Sequence, residues 1–186
     1  MANYIKEIRA LVGHKPIILN TAAGILVNDQ QQVLLNLRTD THNWSLPGGY
    51  LEYGETYATA CLREYKEDSG IDVEVVDRIG IFDKGETAYP NGDVAQTISA
   101  LFLVKPIGGH VLTQATDETL KLDYFDFDNL PPLLNQQNAD MIHAAQEYLQ
   151  THSATNNLTK NPTELKASAG FFIEFNLACI TNTYKS

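Results

Sequence analysis

The segment from Gly49 to Ile71 constrains this chain more than any other part of its sequence. Five acidic side chains fall within one predicted loop and helix: Glu52, Glu55, Glu64, Glu67 and Asp68. Such crowding of negative charge is unfavourable unless a cation or an arginine neutralises it. A hard divalent cation is the simplest compensator, so the segment predicts a metal-binding loop followed by a helix.

Residue spacing predicts two different faces for this helix. Glu64, Glu67 and Asp68 stand at i, i+3 and i+4 and share one face, so we expect their oxygens to converge on one point. An apolar stripe lies on another face and is suited to packing on a sheet: Ala58, Cys61, Leu62 and Tyr65. The spacing therefore predicts one face for the core and one for ligands.

Neighbouring residues fit the same unit. Arg63 precedes the first predicted ligand, and we expect it to pair with Glu55 and so tie the loop to the helix. Gly48 and Gly49 allow the backbone to pass close to an ion, and Gly70 suits the left-handed conformation that ends many helices.

These residues resemble the signature of the Nudix hydrolase family. That signature is Gly, five residues, Glu, seven residues, Arg-Glu, an aliphatic residue, any residue, Glu-Glu, any residue, Gly and an aliphatic residue. The spacing here matches throughout, with Tyr65 at an aliphatic position and Asp68 at the second Glu of the pair. Tyr65 alters packing. Asp68 shortens an expected ligand by about 1.5 Å, which would shift the ion or place water between them.

The resemblance implies a fold and an activity. The fold is an α/β class α/β/α sandwich around a mixed β-sheet. The activity is that of a Mg²⁺- or Mn²⁺-dependent pyrophosphohydrolase that cleaves a phosphoanhydride bond of a nucleoside diphosphate linked to another group. An ADP-ribose-like molecule or a nucleoside triphosphate would be the small-molecule substrate. The alternative is a Nudix-fold sensor that binds a nucleotide without cleaving it, which the departure at Asp68 favours.

Site roles follow from the same resemblance. Glu64, Glu67 and Asp68 are expected to bind the metal, together with the backbone carbonyl of Gly48. Glu118 precedes the predicted strand at Leu120, where many Nudix enzymes place a carboxylate that binds a second ion or activates water. The alternative is a turn acid beside Asp117. Glu118 or Glu67 would remove the proton, with Glu64 as a further catalytic residue, while Glu55 and Arg63 support the scaffold.

Two residues outside the signature are candidates for substrate binding. Arg38 could hold a phosphate through its planar guanidinium, or it could pair with Asp40. Trp44 could stack on a nucleobase, or it could anchor the following loop on the core. The sequence leaves both alternatives open.

Composition limits the class of protein. The chain has 186 residues, enough for one domain with a sizeable core. A net charge of −10 without a basic stripe argues against a general nucleic-acid binder. Cys61 and Cys179 lack zinc-site spacing and are expected to be reduced, buried thiols. No signal peptide or membrane span is predicted, so we expect a cytoplasmic protein, with no prediction of its oligomeric state.

The remaining pattern divides the chain in two. Apolar runs predict strands at 17–27, 33–37, 73–82, 94–104 and 120–126, and helical spacing predicts helices at 4–11 and 138–149. Residues 1–150 are expected to form the Nudix domain. Residues 151–186 are expected to form a C-terminal extension of unknown role, polar at first and then apolar from Phe171 to Ile180.

Overall fold

The computed structural model describes residues 3–89 and 91–159. These residues form three helices, with four strands between the first and second helix and three between the second and third. Their bounds are α1 Asn3–Val12, β1 Ile17–Ile25, β2 Gln32–Arg38, β3 Trp44–Ser45, β4 Gly48–Tyr50, α2 Tyr57–Ser69, β5 Ile71–Ala88, β6 Val94–Gly109, β7 Thr119–Asp126 and α3 Gln136–Thr159. All seven strands belong to a compact unit, Met1–Glu147, and a second unit begins at Tyr148 within α3.

The strands form one mixed and one antiparallel sheet. The four-stranded sheet has the order β4-β1-β6-β5, and β1 runs parallel to β6 over the pairs Ile17–Ala95 to Ile25–Leu103. Its other neighbours are antiparallel. The three-stranded sheet has the order β3-β2-β7 and is antiparallel. The expected mixed sheet is therefore present.

Successive residues of β1 show how the sheet is covered on both faces. Ala22 packs in a cluster with Cys61 and Tyr65 of α2, whereas Ala23 packs in a second cluster with Met141 and Ile142 of α3. Because adjacent side chains on a strand point to opposite faces, the sheet lies between the two helices. This is the α/β/α sandwich expected from the sequence. In the predicted apolar stripe of α2, Cys61 and Tyr65 are buried, and Ala58 and Leu62 pack partly buried against the same cluster.

Several details differ from the expectations. The polar loop before the signature contains the short strand β3, and β5 extends to Ala88, beyond the predicted end of its strand. The spacing of Ile5, Ile8 and Leu11 predicts one apolar side for α1. Ile5 belongs to the core cluster with Leu19 and Ala95, but the prediction is wrong at Leu11, which is 82% exposed. Residues 160–186, including Cys179, lie outside the described residues, so the predicted extension at 151–186 stays a prediction.

Candidate active site

Helix α2 is capped at both ends, which fixes where its charged face points. Thr56 is the N-cap, and its hydroxyl accepts a hydrogen bond from the Thr59 backbone N–H at 3.1 Å. Gly70 closes the helix in the left-handed region (φ 76°), with its N–H donating to the Lys66 carbonyl at 2.8 Å. These caps satisfy backbone groups at both ends and define the helix as Tyr57–Ser69.

Glu64 is buried against the backbone of Gly49. Its exposure is 5%, and a Cβ at Gly49 would lie 2.5 Å from Glu64 Oε2. Only a glycine leaves room for the carboxylate at this place, which explains the first position of the signature. Burial raises the pKa of Glu64, although the neighbouring Arg63 acts in the opposite direction.

Arg63 binds several partners around Glu64. It forms the expected pair with Glu55, with Nε and Nη2 each 2.8 Å from a carboxylate oxygen. Its Nη1 donates to Glu64 Oε1 at 2.8 Å and to Glu67 Oε2 at 3.3 Å, and Nη2 also donates to the Tyr50 carbonyl at 3.0 Å. The hydrogen bond from Arg63 is the main cause of the lowered pKa of Glu55. One guanidinium thus links the loop, the helix and β4.

The Asp68 carboxylate has different hydrogen-bond partners from those of Glu64 and Glu67. Its Oδ2 accepts the Gly48 N–H at 2.9 Å, and its Oδ1 accepts the Thr119 hydroxyl at 3.4 Å. Burial, with the nearby charge of Glu64 opposed by the Gly48 hydrogen bond, raises the pKa of Asp68 to about 7. In residues 3–89 and 91–159 no three Asp, Glu, His or Cys side chains are placed to hold an ion together. Arg63 lies between Glu64 and Glu67, and Gly48 holds Asp68, so the three carboxylates face different partners in this structure. Their role as metal ligands stays a prediction.

Asp68 ends a chain of buried hydrogen bonds that sequence reasoning missed. The Ser45 hydroxyl donates to Asn36 Oδ1 at 2.8 Å, and Asn36 Nδ2 donates to Thr119 Oγ1 at 3.2 Å. Thr119 then donates to Asp68. These bonds join β3, β2 and β7 to α2. No local motif marks them, since their partners lie far apart in sequence.

A cavity of about 500 Å³ opens beside Glu64. It brings together five of the predicted site residues: Arg38, Gly48, Glu64, Glu67 and Glu118. Thr39 holds the loop of Glu118 in place, since its N–H donates to the Glu118 carbonyl at 3.1 Å and its hydroxyl to the Asp117 carbonyl at 2.7 Å. Asp68 and Trp44, by contrast, do not line this cavity.

The donor set around the cavity fits a hard divalent cation. Glu64 and Glu67 are carboxylates, Gly48 offers a backbone carbonyl, and Mg²⁺ and Mn²⁺ prefer oxygen ligands. Arg63 is shared among Glu55, Glu64 and Glu67, so three negative charges face one positive charge. The excess negative charge on a desolvated carboxylate is what a bound cation would offset.

The two substrate-binding candidates have partners within the protein. Arg38 donates through Nε and Nη2 to the two carboxylate oxygens of Asp40, at 2.9 and 2.7 Å. Trp44 packs edge-on against Phe125, with 4.7 Å between ring centroids, and Lys121 Nζ lies 5.9 Å from the Trp44 ring. Arg38 faces the cavity, whereas the contacts of Trp44 are those of a core anchor.

The fold and the residues of the signature helix define the family to which the chain belongs. The NUDIX domain matches residues 19–145, most of the chain and all of the loop and helix described above. The chain therefore belongs to the NUDIX family. Relatives in this family are named as pyrophosphatases and phosphatases, which agrees with the expectation of an enzyme.

Three similar proteins illustrate the range of the family. "ADP-ribose pyrophosphatase" of Methanocaldococcus jannaschii is 33% identical over 112 residues, 59% of this chain and 63% of that protein. "8-oxo-dGDP phosphatase NUDT18" of Mus musculus is 30% identical over 64% of this chain and 35% of its own length. The chain thus spans less than two thirds of both relatives. The crystal structure of an ADP-ribose pyrophosphatase from Streptococcus suis superposes with a TM-score of 0.57 and 26% identity, covering 70% of this chain and 90% of that one.

Proposed function

We propose that this chain is a Mg²⁺- or Mn²⁺-dependent pyrophosphohydrolase that cleaves the phosphoanhydride bond of a nucleoside diphosphate linked to an uncharged group. The observation that carries the proposal is the position of Glu64. This carboxylate is buried at the cavity. Its only salt-bridge partner among the described residues is Arg63, which also forms salt bridges with Glu55 and Glu67.

The groups around the cavity would have three roles: metal binding, proton transfer and positioning. Glu64, Glu67 and the Gly48 carbonyl would hold the cation, which would supply positive charge at the diphosphate. Glu118 or Glu67 would accept a proton from the water that attacks phosphorus, while the bond from phosphorus to the bridging oxygen breaks. Asp68, predicted as a third ligand, would act as a positioning residue by holding the Gly48 backbone.

Charge around the cavity supports a substrate whose two ends are uncharged. The described residues that line it include six acids and two arginines: Asp40, Glu64, Glu67, Asp93, Asp117 and Glu118 against Arg9 and Arg38. Both arginines are already engaged by protein oxygens. A nucleoside triphosphate would bring a terminal phosphate to this negative surface, whereas an ADP-ribose-like molecule carries only the two bridging phosphates. The name of the archaeal relative agrees with the second class.

The test is turnover with product identification. The full-length chain is incubated with ADP-ribose or with dGTP in saturating Mg²⁺ or Mn²⁺, and the phosphorylated products are separated. We expect cleavage of ADP-ribose to two monophosphates, with a higher kcat/KM than for dGTP. Glu64→Gln keeps the shape of the side chain and removes its charge, so it should lower kcat by roughly a hundredfold or more.

Glu74→Gln is the matched control, because Glu74 pairs with Lys105 on the surface of β5 and does not line the cavity. Its turnover should equal that of the wild type. Near-normal turnover by Glu64→Gln would overturn the assignment of this residue. Binding of ADP-ribose by the wild type without any cleavage would instead support the non-catalytic sensor.

A further inference from the structure

Helix α1 precedes the residues that match the NUDIX domain, yet it forms part of the cavity wall. Ile5 and Arg9 of this helix line the same cavity as Glu64, together with Tyr50 of β4 and Tyr89 after β5. We name these four residues the end wall. A helix outside the matched residues therefore shapes the space that is available to the substrate.

The α1 side of the end wall is firmly held. Ile5 is 5% exposed and packs in a cluster with Leu19 and Ala95, to which Tyr50 and Tyr89 also belong. Arg9 Nη1 donates to the Lys15 carbonyl at 2.8 Å, and Nη2 donates to the Val94 carbonyl at 2.9 Å. These bonds fix α1 to the start of β6. The α1 side of the end wall is thus positioned by contacts among protein groups.

The two tyrosines are joined through their hydroxyls. Tyr50 Oη and Tyr89 Oη lie 2.6 Å apart, so one donates to the other and a hydroxyl hydrogen remains for a ligand. Burial, together with the neighbouring Tyr89, raises the pKa of Tyr50, and the phenol stays neutral. The pair offers ring surface and hydrogen-bonding atoms without charge.

The end wall is connected to the loop of the reaction centre. Tyr50 directly follows Gly49, and its carbonyl accepts the hydrogen bond from Arg63 Nη2. The N–H of Tyr4, next to Ile5, donates to Glu52 Oε2 at 3.0 Å. A group seated against the wall would therefore be placed at a fixed distance from the bond to be broken.

The chemistry of the wall selects an uncharged group. Its cation, Arg9, donates to three carbonyls and lies 3.5 Å from Asp93. A phosphate would therefore meet a guanidinium with most of its N–H donors engaged, beside a carboxylate. Ile5 and the tyrosine rings provide apolar contact area, and the hydroxyl pair provides a polar edge. A planar group with hydrogen-bonding atoms on its rim, such as a nucleobase, satisfies both.

From this arrangement we infer that the end wall formed by Ile5, Arg9, Tyr50 and Tyr89 binds the nucleobase of the substrate, and that Ile5 and Tyr89 determine specificity. The inference rests on the proposed function for the identity of the substrate. The wall would contribute to binding and orientation, whereas the carboxylates carry the reaction.

The experiment measures binding and turnover separately. Calorimetry in saturating Mg²⁺, which offsets the phosphate charge, with AMP, GMP, CMP and UMP identifies the nucleoside monophosphate that the full-length chain binds most tightly. This measurement needs no cleavage. Ile5→Ala and Tyr89→Leu should each weaken its binding roughly tenfold, and Tyr89→Phe, which keeps the ring, about threefold. Ribose 5-phosphate, which lacks a base, should bind all variants equally.

Leu11→Ala is the matched control, because Leu11 lies on the same helix and is 82% exposed. With ADP-ribose as substrate, the wall variants should raise KM about tenfold while kcat stays within about threefold of the wild type. Unchanged monophosphate binding in Tyr89→Phe and in the other variants that melt like the wild type would overturn the inference, as would a wild type that binds none of the four. Absence of turnover with intact, wall-dependent binding would overturn the proposed function alone.

Discussion

The ring of Tyr65 lies against the bare backbone of Gly24. A Cβ at Gly24 would come within 2.6 Å of Tyr65 Cδ2, and Tyr65 itself is fully buried. Tyr65 stands where the family signature has an aliphatic residue, so a glycine on β1 makes room for the larger ring on α2. Among the described residues, the Tyr65 hydroxyl is buried without a hydrogen-bond partner.

This pair predicts opposite effects for two small changes. Tyr65→Phe removes a desolvated hydroxyl and should raise the free energy of unfolding by about 1 kcal/mol. Gly24→Ala inserts a methyl group into the ring and should lower that free energy by about 1–3 kcal/mol. Urea unfolding of both variants at neutral pH measures the two changes.

A double-mutant cycle provides the control for that pair. Leucine at position 65 shortens the side chain, so Gly24→Ala should cost less in a Tyr65→Leu background than in the wild type. Equal costs in the two backgrounds would show that the glycine is not there to accommodate the ring.

The hydrogen-bond chain through Thr119 predicts an effect on stability. Thr119→Val keeps the shape but leaves Asn36 Nδ2 and Asp68 Oδ1 without their shared partner. The free energy of unfolding should fall by about 1–3 kcal/mol. Thr113→Val is the control, because Thr113 is exposed and its change should be close to zero. Equal stabilities of the two variants would contradict this role of Thr119.

The regular spacing of the signature made much of the site predictable. The segment from Gly49 to Gly70 predicted the helix, its end at Gly70 and the pairing of Arg63 with Glu55. The positions of the five longer strands along the chain followed from apolar runs and turn residues. These are local properties, and local spacing is enough to specify them.

Contacts between segments distant in sequence could not be predicted from local residue spacing. The orientation of the Asp68 side chain on α2 depends on its hydrogen bonds with Gly48 of β4 and Thr119 of β7. Ile5 meets the cavity only because α1 packs against β1 and β6. Such placements are decided by tertiary packing, for which a single sequence carries no periodic signal.

The final prediction concerns the pH dependence of the Arg38–Asp40 pair. Burial acts to raise the pKa of Asp40, but the hydrogen bond and charge of Arg38 outweigh it and leave the pKa lowered. For a carboxylate with a lowered folded-state pKa, the stabilisation is present above the unfolded value of 3.8 and is lost as the pH falls through the folded value. Arg38→Met removes the opposing charge while burial remains, so the pKa of Asp40 should rise.

Two measurements check this sign. Carboxyl carbon chemical shifts followed by NMR should show Asp40 titrating at a higher pH in Arg38→Met than in the wild type. Urea unfolding should show the variant less stable than the wild type above about pH 4. The difference should shrink toward lower pH as Asp40 becomes protonated in both proteins. In a pair of proteins carrying Asp40→Asn, with and without Arg38→Met, this pH-dependent difference should vanish, because the titrating group is gone. A difference that persists there would assign the effect of Arg38 to groups other than Asp40.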